Sequence, residues 1–485
     1  MPLTTPTTWS EDLLVAALPD GPPAYLVCGA LQGQPHPFLL DSAMVMDRYG
    51  RYSYAGCDPF LVITSKGSQI TITDRTDTTI KQGDPFTALQ QMIEHYALPP
   101  TEAPTPFWGG AVGYFGYDLC HFIENLPCTT VDDIGMPDLY MALHDVIYAY
   151  DEATQVGYVL STGLPAPAGS ERRKHAQARA EQLLDWIQSA DEAVSSSDVP
   201  ATSAALQSNF AREEYLAAIS RTKEYIAAGD IFQANISQRF QAPLQISPWE
   251  LYVRLRQVNP ASFAAYLDYG SGQVVSASPE KFLEVSDGWV QTRPIKGTRP
   301  RGDTPEEDRR LAQELLASEK DNAELMMILD LERNDLGRVC RFGTVRVPEL
   351  VVLESYPTVH HLVATVTGQL AEGCDNIDLM RAVFPGGSIT GVPKVRSMEI
   401  IDELEPTQRG VYTGDIGYLG FGGQMQLSIV IRTIIATGGN AYYQVGGGIV
   451  ADSQPAAEYQ ETLDKGKALA EALRDVPDSR RAYGT

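Results

Sequence analysis

Residues 291–302 read Q-T-R-P-I-K-G-T-R-P-R-G and set one lysine, Lys296, among three arginines, Arg293, Arg299 and Arg301. Pro294 and Pro300 restrict φ and disfavour helix, and Gly297 permits a tight turn, so the stretch reads as a loop. A lysine beside other cations, and partly desolvated, gives up its proton more readily and becomes a nucleophile. A basic surface loop that only solvates itself has the same composition. The setting favours chemistry: the chain carries 37 Lys plus Arg against 62 Asp plus Glu, so a local cluster of cations implies that an anion is held there.

Two carboxylate pairs have a spacing that suits a metal. Asp321 and Glu324, and again Glu458 and Glu461, stand three apart in proposed helices and share a helix face. Pairs on two helices could converge on one Mg²⁺ whose shell substrate oxygens complete, although each pair alone also reads as a solvated face. Gly446, Gly447 and Gly448 follow an apolar run and precede a helix start at Pro455. Consecutive glycines can turn backbone N–H groups toward a carboxylate, or form a plain turn. His360 and His361 are adjacent, so in a strand at most one faces a given site. F-P-G-G-S-I-T-G-V-P-K at 384–394 has Val392 and Pro393 where a phosphate loop needs Lys-Ser/Thr, which excludes a nucleoside triphosphate site.

Such groups need a scaffold. Residues 23 to about 160 read as β-rich, at 37–40, 51–56, 60–63, 70–72 and 146–150, with a helix over 85–96. W-G-G-A-V-G-Y-F-G-Y-D at 108–118 lacks the strand-then-helix frame of a dinucleotide fingerprint, so its glycines read as close backbone packing. A charged helix at 171–188 and the small polar run 193–203 read as a linker. The expected division is a β-rich N-terminal domain at 10–165, a helical and flexible linker at 166–206, and a catalytic domain at 207–475. Within the last, the pattern predicts a helix over 212–228 closed by Gly229, strands at 232–240, 263–267, 282–285 and 290–292, and one long helix over 305–328. Strands at 343–347, 351–355, 414–421, 428–436 and 441–445, a helix near 395–404 and a last helix from Pro455 complete it. Strands and helices mix without a strict βαβ rhythm, so the fold class expected is α+β.

Composition excludes other classes. A formal net charge of −25 disfavours nucleic acid and anionic membranes as partners. Six scattered cysteines without metal-like spacing read as reduced thiols. No apolar run reaches the roughly 20 residues of a membrane span, and the first residues have no basic and apolar leader pattern, so a soluble cytoplasmic protein is expected.

Six motifs then stand in order: A-G-D-I-F-Q-A-N-I-S-Q (228–238), S-A-S-P-E (276–280), R-P-I-K-G-T-R-P-R-G (293–302), E-K-D-N-A-E-L-M-M-I-L-D-L-E-R-N-D-L-G-R-V (319–339), F-P-G-G-S-I-T-G-V-P-K-V-R-S-M-E-I-I (384–401) and G-G-G-I-V-A-D-S-Q-P-A-A-E-Y-Q-E-T (446–462). Together they resemble the chorismate-utilising enzymes, densely over about 210–475 and more loosely before it through F-L-L-D-S-A, R-Y-S-Y-A-G and G-Y-F-G-Y-D. The resemblance implies a large mixed α/β sandwich of the anthranilate synthase component I type, with layered antiparallel sheets and flanking helices. Water-using members carry a lysine base where Gln233 stands, and anthranilate-forming members carry alanine where Lys296 stands. Lys296 thus resembles the branch that makes 4-amino-4-deoxychorismate, for para-aminobenzoate and folate.

The resemblance assigns roles residue by residue. Lys296 is the nucleophile toward ring C2 of chorismate, and Glu280, with His361, assists departure of the C4 hydroxyl. Glu324, Glu461, Glu458 and Asp321 hold Mg²⁺. Arg432, Tyr412, Thr298, Gly446, Gly447, Gly448 and Lys465 bind substrate. No cysteine stands in a nucleophile-elbow context, so ammonia is expected from a separate glutamine amidotransferase subunit. Leu39-Leu40-Asp41-Ser42 resembles a tryptophan-binding L-L-E-S segment, which suggests a bound tryptophan at Leu40, Ser42 and Tyr114. The alternatives are an anthranilate-forming component and a catalytically silent subunit that binds chorismate or tryptophan.

Overall fold

The computed structural model describes residues 7–10, 12–44, 50–189, 206–355 and 359–474. Two large sheets, of 13 and 12 strands, carry the chain, with antiparallel pairing between neighbours throughout. The site is framed by strands β1 (Gln233–Pro243), β2 (Lys281–Ser286), β3 (Ile295–Pro300), β4 (Val359–Gln369), β5 (Asp415–Gly420), β6 (Met425–Ile429) and β7 (Asn440–Ile449), and by helices α1 (Glu319–Gly337) and α2 (Pro455–Leu473). Strands β7 and β1 are partners in the larger sheet, and the other five strands belong to the smaller one.

Alternation along the strands explains the layering. In the larger sheet Phe38, Tyr54 and Ile147 enter the main core with Ile63, Val112 and Leu419 of the smaller sheet. Their sequence neighbours Leu39, Ala55 and Tyr148 point the other way, onto helical residues such as Leu183, Leu251 and Leu469. Both faces of the sheet are therefore buried, and each large side chain so covered contributes about 1.5–3 kcal/mol. The α+β architecture with layered antiparallel sheets is the one expected. Residues on either side of 166–206 share both sheets: Phe38–Asp41 pairs with Phe263–Asp268, and β5 with Gly110–Phe115. From 166–206 comes helix Ser170–Ser189, which buries Ala176, Ala180 and Leu183; the run 193–203 lies outside the described residues. The glycines of 108–118 do serve close packing, since a Cβ on Gly113 would meet the Tyr140 carbonyl oxygen at 1.9 Å.

Three expectations are corrected. The helix over 305–328 is two, Pro305–Leu316 and α1, because Ser318 accepts a hydrogen bond from the Asp321 N–H at 3.3 Å and caps a new helix. The strand over 428–436 is β6 and Thr433–Thr437, in different sheets, with Arg432 at φ 53° between them. The lysine loop is an extended strand, β3, paired with β4. Its prolines sit next to and at the strand's ends, where they remove no interior ladder bond. Among the described residues no helix is long and apolar enough to cross a membrane.

Candidate active site

The β3–β4 ladder aligns Lys296 with Leu362 and Thr298 with His361, and its register shifts between them. Gly297 sits at this bulge with φ 73°, and a Cβ there would meet Leu315 Cδ1 at 2.9 Å and Asp321 Cβ at 3.0 Å. Only glycine supplies both the left-handed backbone and the close helix approach, so K-G-T is a packing requirement around the lysine. Lys296 Nζ donates to the Ser388 carbonyl at 3.0 Å. The Ser388 hydroxyl donates to Glu280 Oε1 at 2.9 Å, and the Glu280 carbonyl accepts from the Ile429 N–H of β6 at 3.1 Å. Lysine and carboxyl thus meet on one serine.

Electrostatics suit the pair. Burial lowers the Lys296 pKa, against the pull of Glu280 and Glu324, and Lys465 adds to the lowering. Burial raises the Glu280 carboxyl above the usual range, against Lys296. The arginines are not the cause expected from the sequence. Arg293 pairs with Glu349 and Glu354, Arg299 with Asp321 and Arg301 with Asp308, at 2.5–3.0 Å, so each cation answers a carboxylate. Desolvation is the main cause of the lowering.

His361 Nδ1 lies 2.9 Å from Thr298 Oγ1, and burial lowers its pKa to about 4, so the imidazole is neutral at pH 7. His360 faces the opposite way, to Ser355 and Asp308 at 2.8 and 2.9 Å. The adjacent histidines divide as strand geometry requires.

Strand β7 and helix α2 form the other wall. Gly446, Gly447 and Gly448 are extended ladder residues opposite Ser237, Ile236 and Asn235, not a turn that gathers N–H groups. Their lack of side chains instead makes room. A Cβ on Gly447 would lie 3.4 Å from Glu458 Oε2, 3.7 Å from Glu461 Oε1 and 3.8 Å from Lys465 Nζ, and one on Gly448 would meet Gln233 Nε2 at 2.4 Å. Lys465 Nζ donates to the Gly446 carbonyl at 3.0 Å and pairs with Glu461 at 2.7 Å. Arg432 donates to the Lys465 carbonyl, and burial lowers its pKa. Burial raises the Tyr412 pKa to about 12, so its hydroxyl keeps its proton; Arg432 acts against that rise.

Glu324, from α1, has a pKa raised by burial, with Asp321 and Glu461 adding like charge. Glu458 is also raised by burial and accepts from Ser453 at 2.6 Å. Asp321 is turned to Arg299 at 3.0 Å. Among the described residues no three His, Cys, Asp or Glu side chains are gathered closely enough to hold an ion unaided. Magnesium keeps several waters and takes one or two carboxylates beside substrate oxygens, and the space beside Gly447 fronts two, Glu458 and Glu461, the second of which adds like charge at Glu324.

The residues proposed for tryptophan separate. Leu40 and Ser42 border a cavity of about 260 Å³ with Tyr54, Phe263, Lys281, Glu284 and Tyr418. Tyr114 does not; it is fully buried, donating to the Pro137 carbonyl at 3.0 Å. Ser388 and Arg409 carry no expectation from the sequence. Ser388 stands inside the quoted G-G-S-I-T motif, which was its available signal.

A family model described as chorismate binding enzyme matches residues 41–471. The chain belongs to that family. Among its members, aminodeoxychorismate synthase component 1 of Bacillus subtilis (strain 168) is 41% identical over 443 residues, covering 91% of this chain and 92% of that protein. Its counterpart in Salmonella typhimurium is 43% identical over 442 residues, 91% and 94% of the two chains. Anthranilate synthase component 1 of Thermus thermophilus is 41% identical over 444 residues, 90% and 92%. Anthranilate synthase component I from Streptococcus pneumoniae TIGR4 superposes with a TM-score of 0.78 at 31% identity, covering 88% of this chain and 94% of that one. The two kinds of chorismate binding enzyme are so nearly equal in similarity that the discrimination falls on the site.

Proposed function

We propose that the chain is component 1 of an aminodeoxychorismate synthase and converts chorismate and ammonia to 4-amino-4-deoxychorismate. The observation that carries this reading is Lys296: a desolvated amine hydrogen-bonded to the residue that also holds Glu280. In the first half the amine lone pair forms a bond to C2, the two ring double bonds each shift one position, and the C4–O bond breaks. Glu280 gives its proton to the departing oxygen, which leaves as water. In the second half ammonia adds at C4, the double bonds return and the C2–N bond breaks, freeing neutral Lys296. Glu280, now a carboxylate, takes the proton from the new C4 ammonium and is restored. Arg432 and Lys465 supply positive charge for substrate carboxylates, with Tyr412 and Thr298 as hydrogen-bonding neighbours and neutral His361 orienting Thr298. Glu324, Glu458 and Glu461 would hold Mg²⁺, which supplies charge neutralisation for a substrate carboxylate when bound.

The same reading includes a separate amidotransferase supplying ammonia, in line with the name component 1 carried by the relatives. Six free cysteines accord with a reducing, cytoplasmic setting. The reading extends to tryptophan at the cavity of Leu40 and Ser42, whose lining mixes the rings of Tyr54, Phe263 and Tyr418 with the charged Asp41, Arg51, Lys281 and Glu284. The test is a product assay with chorismate, Mg²⁺ and ammonium. The para-substituted 4-amino-4-deoxychorismate is expected; anthranilate with pyruvate would assign the other branch, and no turnover would assign a silent subunit.

A further inference from the structure

Ser388 is buried, with 6% exposure, in the short 3-10 turn Gly387–Ile389. The turn is fixed on three sides. Thr390 Oγ1 donates to the Gly386 carbonyl at 2.9 Å, Arg409 donates to the Ile389 carbonyl at 3.1 Å, and a Cβ on Gly387 would meet Leu331 Cδ2 at 2.3 Å. From this turn the Ser388 carbonyl receives Lys296 Nζ at 3.0 Å while its hydroxyl donates to Glu280 Oε1 at 2.9 Å.

We propose that Ser388 is a positioning residue that aims the Lys296 lone pair and the Glu280 proton at the two ends of one substitution, an inference that rests on the reading of the reaction above. A neutral amine has two N–H bonds and one lone pair. Tying one N–H to a carbonyl on a rigid turn restricts where the lone pair points. A carboxyl group has two oxygens, and a hydroxyl donated to Oε1 makes Oε1 the acceptor and leaves the proton on Oε2, free to go to the leaving hydroxyl. Attack at C2 and departure at C4 need both directions at once, and a serine holding one group with its backbone and the other with its side chain gives both from a single rigid point.

The two arms separate experimentally. Ser388→Ala removes the hydroxyl arm and keeps the carbonyl arm; Ser388→Thr keeps both. Charged groups that face Glu280 are Lys296 on β3 and Lys465 on α2, which favour its carboxylate, and Glu332 on α1 and Asp415 on β5, which oppose it. The Ser388 hydroxyl also favours the carboxylate, so its loss moves the pH at which the acid is spent upward.

Steady-state rates of ammonia-dependent aminodeoxychorismate formation across pH, in wild type, S388A and S388T with thermal unfolding beside them, test this. S388A is expected to lose about 10- to 100-fold in kcat with KM for chorismate within about twofold, and to shift its alkaline limb upward, while S388T recovers most of the rate and the wild-type limb. Wild-type kcat with an unmoved limb in S388A overturns the proposal. Equal impairment of S388A and S388T, in step with lowered thermal stability, overturns it too and leaves Ser388 a packing residue. Wild-type turnover to the para product with either of these outcomes rejects Ser388 alone, whereas absence of that product in wild type rejects the reading of the reaction itself.

Discussion

Arg409 gives the sharpest test of how the site is held. Its guanidinium is buried with Glu405, at 1% and 2% side-chain exposure, and makes contacts of 2.7 and 3.0 Å to both carboxylate oxygens. It also donates to the Ile389 carbonyl at 3.1 Å, the Asn235 carbonyl at 2.6 Å and Thr413 Oγ1 at 3.2 Å. One side chain therefore ties the Ser388 turn to β1 and to the segment carrying Tyr412. Arg409→Met leaves Glu405 buried, retaining among the described residues the Ser237 N–H and hydroxyl as donors at 2.8 and 2.7 Å. Removing one partner of a buried pair costs about 3–5 kcal/mol, whereas replacing both with apolar groups can be near neutral. Urea unfolding of R409M, E405L and the double variant measures this as a cycle. The expected result is a loss of about 3–5 kcal/mol in R409M with at least half regained in the double variant. A loss under about 1 kcal/mol, or a double variant no better than R409M, would refute the argument that this pair secures the turn.

Other outcomes follow from the same geometry. Gly447→Ala meets only ordinary contacts of 3.4–3.8 Å, so it should fold normally while its methyl fills the space before Glu458, Glu461 and Lys465, raising KM for chorismate and the Mg²⁺ concentration needed; Gly448→Ala, meeting Gln233 at 2.4 Å, should lower thermal stability as well. Glu461→Gln should abolish turnover with an unchanged circular-dichroism spectrum, and wild-type-like Mg²⁺ dependence of its rate would contradict the assignment. Burial, with Glu280 adding like charge, raises the Glu332 pKa from 4.5 to about 8. The folded chain keeps a proton there that the unfolded chain releases, so this stabilisation is complete below about 4.5 and is lost as pH rises through about 8. The urea midpoint of Glu332→Gln should therefore gain on wild type between about pH 6 and about pH 9.

Much of the candidate site was legible because the residues that line it lie in short motifs. Lys296, Glu280 and the carboxylates of α1 and α2 are each local in sequence, and the α+β class followed from the lack of βαβ order. What was not legible depended on pairing between distant segments. β3 looked like a loop because its prolines and glycine are turn residues, yet β4, some sixty positions on, draws it into a ladder. The arginines looked like activators of Lys296 because their carboxylate partners, Glu349, Glu354, Asp321 and Asp308, lie outside the motif. Gly446–Gly448 looked like a turn, and only the partner strand β1 shows that their missing side chains make room. Ser388 and Arg409 act through backbone carbonyls as well as side chains, which no residue pattern displays.

If Lys296 bonds to the ring and gives way to ammonia, turnover passes through a covalent adduct on that lysine. Peptide mass analysis after mixing the protein with chorismate and Mg²⁺, in the absence of ammonium and glutamine, measures it directly. The expected result is an adduct on Lys296 equal to chorismate less one water, discharged as 4-amino-4-deoxychorismate when ammonium is added and absent from Lys296→Ala. An unmodified Lys296, together with full ammonia-dependent product formation by Lys296→Ala, would contradict it.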